Sequence, residues 1–271
     1  MKIENLSNIT KLIFYKLNKT ALITALHKKL KKILKTNNAN KNNNYTFSRI
    51  EVDQLEDDKE KEFVRLLNIL NYTKTKEISY SAKTYPAGYH TITLLDKTIL
   101  GQRNPFQRFS KIPLDFFDKR VLDIGTNQGG MLFSIHEQIS FGVGLDYDPR
   151  MINSANRISS LVKTNNLFFF VFDIEKEPLE LILDLIPGGR VDIILLLSVC
   201  KWISNWRSVI NFCAKNAPIM LFESNGNIKQ QYAQEKALNR YYSSVSILAD
   251  SSEDDPLQKN RKLFLCQAPR K

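Results

Sequence analysis

The sequence has little with which to hold a metal. Its three cysteines, Cys200, Cys213 and Cys266, are scattered, none stands in a CxxC pair, and each lies in or beside an apolar stretch. That pattern reads as buried free thiols in a reducing compartment. His27, His90 and His136 are far apart in the chain, so no metal-ligand spacing arises and no metal is expected. No apolar run reaches transmembrane length, and Met1-Lys-Ile-Glu-Asn5 lacks the basic start, apolar centre and small-residue cleavage site of a secretory signal. The default expectation is a cytoplasmic protein.

Basic charge is plentiful but unevenly placed. Residues 1–44 hold ten lysines against one glutamate, which is +9 of the formal +11 and leaves only +2 for residues 45–271. A nearly neutral main body argues against a nucleic-acid substrate, because neutralising phosphates requires basic groups around the binding surface. Residues 8–35 read as helix. In its second half Leu22, Ile23, Leu26, Leu30, Ile33 and Leu34 fall in a band of about 120° on a helical wheel, with Lys28, Lys29, Lys31, Lys32 and Lys35 opposite. Such a helix docks on its own domain with its lysines solvated, or lies on an anionic membrane surface or in a partner protein's groove. The asparagine-rich run 37–44 reads as a linker.

The centre of the sequence is Val121-Leu-Asp-Ile-Gly-Thr-Asn-Gln-Gly-Gly130. An apolar run ends at Asp123, turns at Gly125, and passes Gly129 and Gly130 into a helical segment. A strand that ends in such a turn and opens a helix brings bare backbone N–H groups next to a ligand. The next strand, Phe141–Tyr147, ends on Asp146, at the spacing where a carboxylate meets the hydroxyl pair of a ribose in nucleotide-binding βαβ units. Apolar strands are expected at 120–125, 142–147, 167–173, 192–198 and 218–223, with helices at 130–138, 149–162, 179–186 and 203–214. Strands alternating with helices indicate a parallel sheet covered on both faces. A further helix near 229–238 precedes two strands, 242–248 and 262–267, joined as an antiparallel pair.

Together these features resemble the class I S-adenosylmethionine-dependent methyltransferases. The carrying features are the Asp123–Gly130 loop, Asp146 at the end of the second strand, and the closing strand pair. The resemblance covers residues 100–271 and implies an α/β fold, a seven-stranded Rossmann-like sheet whose last strand is inserted antiparallel. Nicotinamide dehydrogenases lack that ending, and the middle glycine of their loop is missing here. The divisions expected are a basic helical extension and linker (1–44), a helical and loop lid (45–110), and the catalytic domain (111–271).

The resemblance also implies roles for the strand ends. Asp123, Gly125, Thr126, Asn127, Gln128 and Gly129 cradle the methionine part of the cofactor, and Asp123 orients its amino group. Asp146 holds the ribose hydroxyls, and Tyr147 stacks near the adenine. Asp148, before Pro149, is the helix cap. Asp173 accepts from the adenine amino group with Ile174 against the ring. In this family the segment before the first core strand folds over the cofactor, so Gln102 and Arg103 are placed to reach the methionine carboxylate; Arg103 and Arg108 as plain surface cations is the competing reading. Ser198 closes the fourth strand, facing the methyl group. Ser198–Ile203 echoes the Leu-Ser-x-x-Lys-Trp stretch of methylphosphate-capping RNA methyltransferases, with Lys201 as an acceptor-anion ligand or a helix cap. Trp202 and Trp206, four apart, read as packing against the sheet. An oxygen acceptor needs its proton removed, for which Glu223 or His90 is the candidate base. The acidic run 251–256 reads as a solvated hairpin loop, the alternative being a cap on the active site or a binder of acceptor hydroxyls.

The expected function is S-adenosylmethionine-dependent methylation of an oxygen on a small metabolite or carbohydrate, by in-line displacement. One rival is an RNA methyltransferase, supported by the Ser-x-x-Lys-Trp echo and the lysine-rich tail. It lacks the Asn/Asp-Pro-Pro-Tyr/Phe motif and any Pro-Cys pair. The other rival is a non-catalytic cofactor-binding scaffold that uses the basic helix to recruit a partner or a membrane.

Overall fold

The computed structural model describes residues 50–53, 55–73, 85–94, 97–252, 255 and 260–270. The expectations for the helix at 8–35 and the run at 37–44 lie outside them. Among the described residues a seven-stranded sheet carries the fold: β5 (Arg120–Ile124), β6 (Phe141–Asp146), β7 (Leu167–Val171), β8 (Ile193–Leu197), β9 (Ile219–Glu223), β10 (Tyr242–Ala249) and β11 (Leu263–Pro269). Their order is β10-β11-β9-β8-β5-β6-β7, parallel from β9 to β7, with β11 antiparallel to both β9 and β10. The seven-stranded, terminally antiparallel sheet expected from the sequence is present.

The central strands read as unbroken apolar runs because both of their faces are covered. In β8, Ile193 and Leu195 join the core on one side of the sheet, while Ile194 and Leu196 join the core on the other, all fully buried. That is the period-2 alternation of a strand with two helical layers. Helix α1 (Asp58–Tyr72) packs on α4 (Pro149–Val162) on the first face. Helix α5 (Trp206–Asn216) supplies Val209, Ile210, Phe212 and Cys213 to the second. Asp148 accepts from the Arg150 N–H at 2.9 Å and Pro149 takes the first helical position, so α4 starts where a cap and a fixed φ coincide. Helix α6 (Ile228–Tyr241) opens with a capping box between Asn227 and Gln230.

Between α1 and the sheet lie four short strands, β1 (Gly88–His90), β2 (Ile92–Leu94), β3 (Lys97–Ile99) and β4 (Gly101–Arg103), then helix α2 (Pro105–Phe109). β2 and β3 form a hairpin, and β1 runs parallel to β4 with His90 opposite Arg103. Thr91-Ile-Thr-Leu94 alternates like a strand in the sequence, and its Ile92–Leu94 forms one arm of this hairpin. Two helices differ from expectation. The helix after the central loop is only α3 (Gly130–Phe133), followed by turns, and residues 179–185 form a 3-10 helix.

The three cysteines, far apart in sequence, are all buried in the second-face core as free thiols. Burial pushes the Cys200 and Cys266 thiols up to about 12, so they are protonated and inert at neutral pH.

Candidate active site

The strand order reverses at β5: the chain leaves β5 for β6 on one side, while β8 pairs on its other side. The loops after β5 and β8 meet there, at the carboxyl edge of the sheet where ligands of open α/β sheets bind. Gly125 turns the chain at the end of β5 with φ of +79°, and a Cβ there would lie 2.6 Å from the Val199 side chain in the loop after β8. Both the left-handed backbone and the close approach require glycine.

Asp123 and Asp146 end adjacent strands beneath this loop. Asp123 is 2% exposed and its Oδ2 accepts from the Thr126 hydroxyl at 2.8 Å. Burial is the main cause that pushes its carboxyl up to about 7; Thr126 opposes this and the nearby Asp146 adds to it. Asp146 is held by two backbone donors, Asp148 N–H on Oδ1 and Asn127 N–H on Oδ2, each at 2.9 Å. The Tyr147 backbone N–H also acts on this carboxylate. Desolvation raises the Asp146 carboxyl as well, against the pull of those backbone bonds. A carboxylate fixed by backbone groups at the end of the second core strand, beside a glycine turn, is the chemistry that suits a vicinal ribose diol.

The segment expected to act as a lid packs on this loop. Gly88 of β1 packs against the Gln128 side chain, and the His90 ring lies on Gly130. Gln128 donates to the Thr73 hydroxyl at the end of α1. Two fully covered polar atoms at this seam, His90 Nδ1 and Gln128 Oε1, have no hydrogen-bond partner. Burial, with Arg103 second, drops His90 to about 3, so the ring is neutral. A base that weak is a poor proton acceptor at neutral pH.

Arg103 and Glu223, expected at the methionine carboxylate and as the base, here meet each other. Arg103 grips the Glu223 carboxylate through two parallel bonds of 2.8 and 2.7 Å, and Arg108 adds one of 3.0 Å. Ser252 donates at 3.1 Å and the Ser198 hydroxyl donates to Oε2. Five donors on two oxygens occupy the acceptor capacity of a carboxylate. All of these side chains are buried. Glu223 in this state has no position left with which to take a substrate proton, and Arg103 is engaged away from a methionine carboxylate. Arg261 lies 3.1 Å from the Ser198 hydroxyl and 3.4 Å from Asp255, and Gln102 donates to Asp255 at 3.1 Å. Ser252 and Asp255 are thus interior residues, a correction to the solvated reading of the 251–256 run. Arg108 and Arg103 are likewise not surface cations.

Ser198 adopts φ of +62°, an uncommon conformation for a residue with a Cβ, and its carbonyl accepts from Asn225. Asn225 also accepts from the Lys201 N–H at 2.8 Å and so joins the loops after β8 and β9. The Lys201 side chain is exposed, with its ammonium 4.6 Å from the Trp202 ring centre. Trp202 is 67% exposed, a second correction: it sits on a 3-10 turn (Cys200–Trp202) before α5, whereas Trp206 packs on the core. On the cofactor side Tyr147 is 73% exposed and Ile174 is buried. The Asp173 carboxylate bonds Lys176 at 2.8 Å, and this pairing holds its carboxyl below the usual range.

Of the residues gathered here, Asn225 and Arg261 had no site reading in the sequence, whereas Ser252 and Asp255 fall in the run whose second reading was a cap on the active site. The only signal was the acidic density of 251–256, which is equally a loop signal.

No curated protein matches the chain. Among solved structures, the N-terminal domain of EvdMO1 with SAH bound aligns at 11% identity over 60% of this chain and 79% of that one, TM-score 0.47. The bifunctional kinase-methyltransferase WbdD aligns at 16% identity over 61% of this chain and 40% of that one, TM-score 0.49. A complex of the Haloferax volcanii Trm112 methyltransferase activator with a putative methyltransferase aligns at 16% identity over 61% and 88%, TM-score 0.45. Similarity at that level carries no argument about activity. The assignment rests instead on residues 117–260, just over half of the chain, which match the family described as "Methyltransferase domain". With the seven-stranded sheet, its terminal antiparallel strand and the glycine turn flanked by Asp123 and Asp146, the chain belongs to the class I S-adenosylmethionine-dependent methyltransferases.

Proposed function

We propose that the protein transfers a methyl group from S-adenosylmethionine to an oxygen of a small metabolite or carbohydrate. The observation that carries the cofactor half is Asp146, fixed by backbone N–H groups at the end of β6 beside the Gly125 turn. The cofactor supplies an electrophilic methyl group on a sulfonium. The protein's own task is alignment, because an in-line displacement is accelerated chiefly by holding acceptor and methyl in line. Asp146 binds the ribose hydroxyls, Asp123 in its ionised form accepts from the amino group, and residues 125–129 cradle the methionine part. Tyr147, Asp173 and Ile174 border the adenine, and Ser198 faces the transferring methyl. Gln102 and Arg103 reach the cofactor only once Arg103 leaves Glu223.

Glu223 is better read as the fastening point of the lid than as a base, given its five donors. His90 positions the lid on Gly130. The near-neutral body of residues 45–271 supports an uncharged or weakly charged acceptor. An RNA acceptor is the second reading, and the exposed Trp202 with Lys201 over it is its specific support. A non-catalytic scaffold is opposed by the intact cofactor acids. No described helix is long and apolar enough to cross a membrane. A cytoplasmic place, with the lysine-rich extension touching a membrane surface or partner protein, is part of the same proposal.

Titration calorimetry tests the cofactor half: S-adenosylmethionine or S-adenosylhomocysteine binds, and Asp146→Ala weakens binding by ~100-fold, about 2.7 kcal/mol. Tight NADH binding with none for these ligands sinks the assignment. Labelled methyl transfer into a lysate, sorted into glycan, RNA, protein and small-molecule fractions, tests the acceptor. Label confined to RNA overturns the first reading.

A further inference from the structure

The residues that match the methyltransferase domain begin at 117, yet one side chain of the Asp123–Gly130 loop is held by a residue well upstream of them. Thr73 ends α1 and is fully buried. Its hydroxyl donates to the Leu70 C=O at 2.8 Å, so its one proton is committed and toward any other group it can only accept. It accepts from the amide of Gln128, also fully buried and 55 residues further along the chain. That sets which way the amide faces, with Nε2 on Thr73. The other end, Oε1, rests against Gly88 of β1 with no hydrogen-bond partner. Thr73 is thus the only hydrogen-bond partner of the Gln128 side chain among the described residues.

From Gln128 a run of bonds continues to the acid at the end of β6. The Gln128 N–H donates to the Asn127 side-chain oxygen at 2.9 Å, and the Asn127 N–H donates to Asp146 Oδ2 at 2.9 Å. Asn127 carries φ of +55°, a left-handed backbone that is uncommon for a residue with a Cβ. Asparagine tolerates it because its short polar side chain can bond locally, as this one does on Gln128. The direction in which the Asn127 N–H points is therefore tied to the place where Gln128 is held.

We infer that Thr73 is a positioning residue for the cofactor: through Gln128 and Asn127 its hydroxyl orients the Asp146 carboxylate toward the ribose diol. The inference rests on the proposed role of Asp146. It gives the Gln128 side chain to this relay and leaves the methionine cradle to the loop's backbone. It also extends the cofactor site to the end of α1, a helix outside the matched domain. α1 packs on α4 as well, and α4 begins three residues after Asp146. Both neighbours of the ribose acid, the loop before it and the helix after it, are therefore fastened to α1.

A double-mutant cycle on the full chain, read by calorimetry of S-adenosylhomocysteine binding, tests this. Thr73→Val keeps the shape and removes the hydroxyl, and Gln128→Leu removes the amide. Each is expected to weaken binding roughly 5- to 10-fold, the fold-change of one lost hydrogen bond, and Thr73→Ser to restore it. In the Asp146→Ala background the same two changes are expected to weaken binding less than about twofold, because the group they aim is gone. Thermal unfolding of each variant reports its folding, and Gln128→Leu decides alone where Thr73→Val does not fold. Wild-type affinity in the folded single variants overturns the inference. So does equal weakening in both backgrounds, which marks a general loosening of the loop. Failure of the Asp146 reading looks different: Asp146→Ala alone then leaves affinity unchanged, and both readings fall.

Discussion

Replacing Asp123 by asparagine separates the stability of the protein from its affinity for cofactor. Asp123 is buried, with a carboxyl pushed from 3.8 to about 7, chiefly by desolvation. Between those values the folded protein binds more protons than the unfolded chain, so stability falls as pH rises through this window. The gap of about 3 units at 1.36 kcal/mol each amounts to ~4 kcal/mol once the pH is well above 7. That stability is present in full below the unfolded value and lost as pH rises through the folded one. The carboxamide of the variant would keep an acceptor for the Thr126 hydroxyl but carry no charge. Asp123→Asn should therefore unfold at higher temperature than the wild type at pH 8, and the difference should shrink toward pH 5. The assay is thermal unfolding of the ligand-free protein at constant ionic strength, in steps from pH 5 to 8. Cofactor affinity should move oppositely: the variant binds S-adenosylmethionine more weakly, because the amino group loses an anionic acceptor. For the wild type, binding should release a proton from Asp123 near pH 7, read from calorimetry in buffers of different ionisation enthalpy. Parallel wild-type and variant unfolding curves across the whole pH range would refute the reasoning.

Two further outcomes follow from the polar cluster and the chain's charge distribution. Glu223→Gln removes the charge gripped by Arg103 and Arg108, and leaving buried guanidinium groups without it costs ~3–5 kcal/mol; a fall in Tm with an unchanged pH profile of methyl transfer supports a fastener, whereas loss of the acid limb of that profile at unchanged stability restores Glu223 as the base. Removing residues 1–44 should leave S-adenosylhomocysteine affinity unchanged within a factor of about two, as measured by calorimetry; a large loss would show that the basic segment helps to close the site.

The sheet was legible because its physics is local. Runs such as Ile193-Ile-Leu-Leu-Leu197 are apolar on both faces, and Asp148-Pro149 marks where a helix must begin. The cofactor loop was legible for the same reason: its turn, its glycine and its acid are neighbours in sequence. The lid was not. β1 and β4 are three residues each, pair with one another across a hairpin, and are too short to show a period. The cluster around Glu223 was hidden for a different reason. Arg103, Arg108, Ser198, Ser252 and Arg261 come from separate segments, and ion pairs leave no periodic trace in a sequence. Arg103 and Glu223 each read sensibly as a ligand-binding group while their mutual contact was invisible. A helix read from residue 203 misplaces Trp202; α5 begins at Trp206, so the two tryptophans do not share a helical face.

The lid spans two half-sites. Its β1 end rests on the cofactor loop through His90 and Gly88, and its β4 end is tied to the acceptor strand by Arg103. One rigid piece cannot uncover the first without disturbing the second. Under the proposed function, loading and unloading would share one barrier, the parting of the buried Arg103–Glu223 contact, separate from methyl transfer itself. If that parting is slower than the chemistry, a more reactive acceptor leaves turnover unchanged while a weaker Arg103–Glu223 pair raises it.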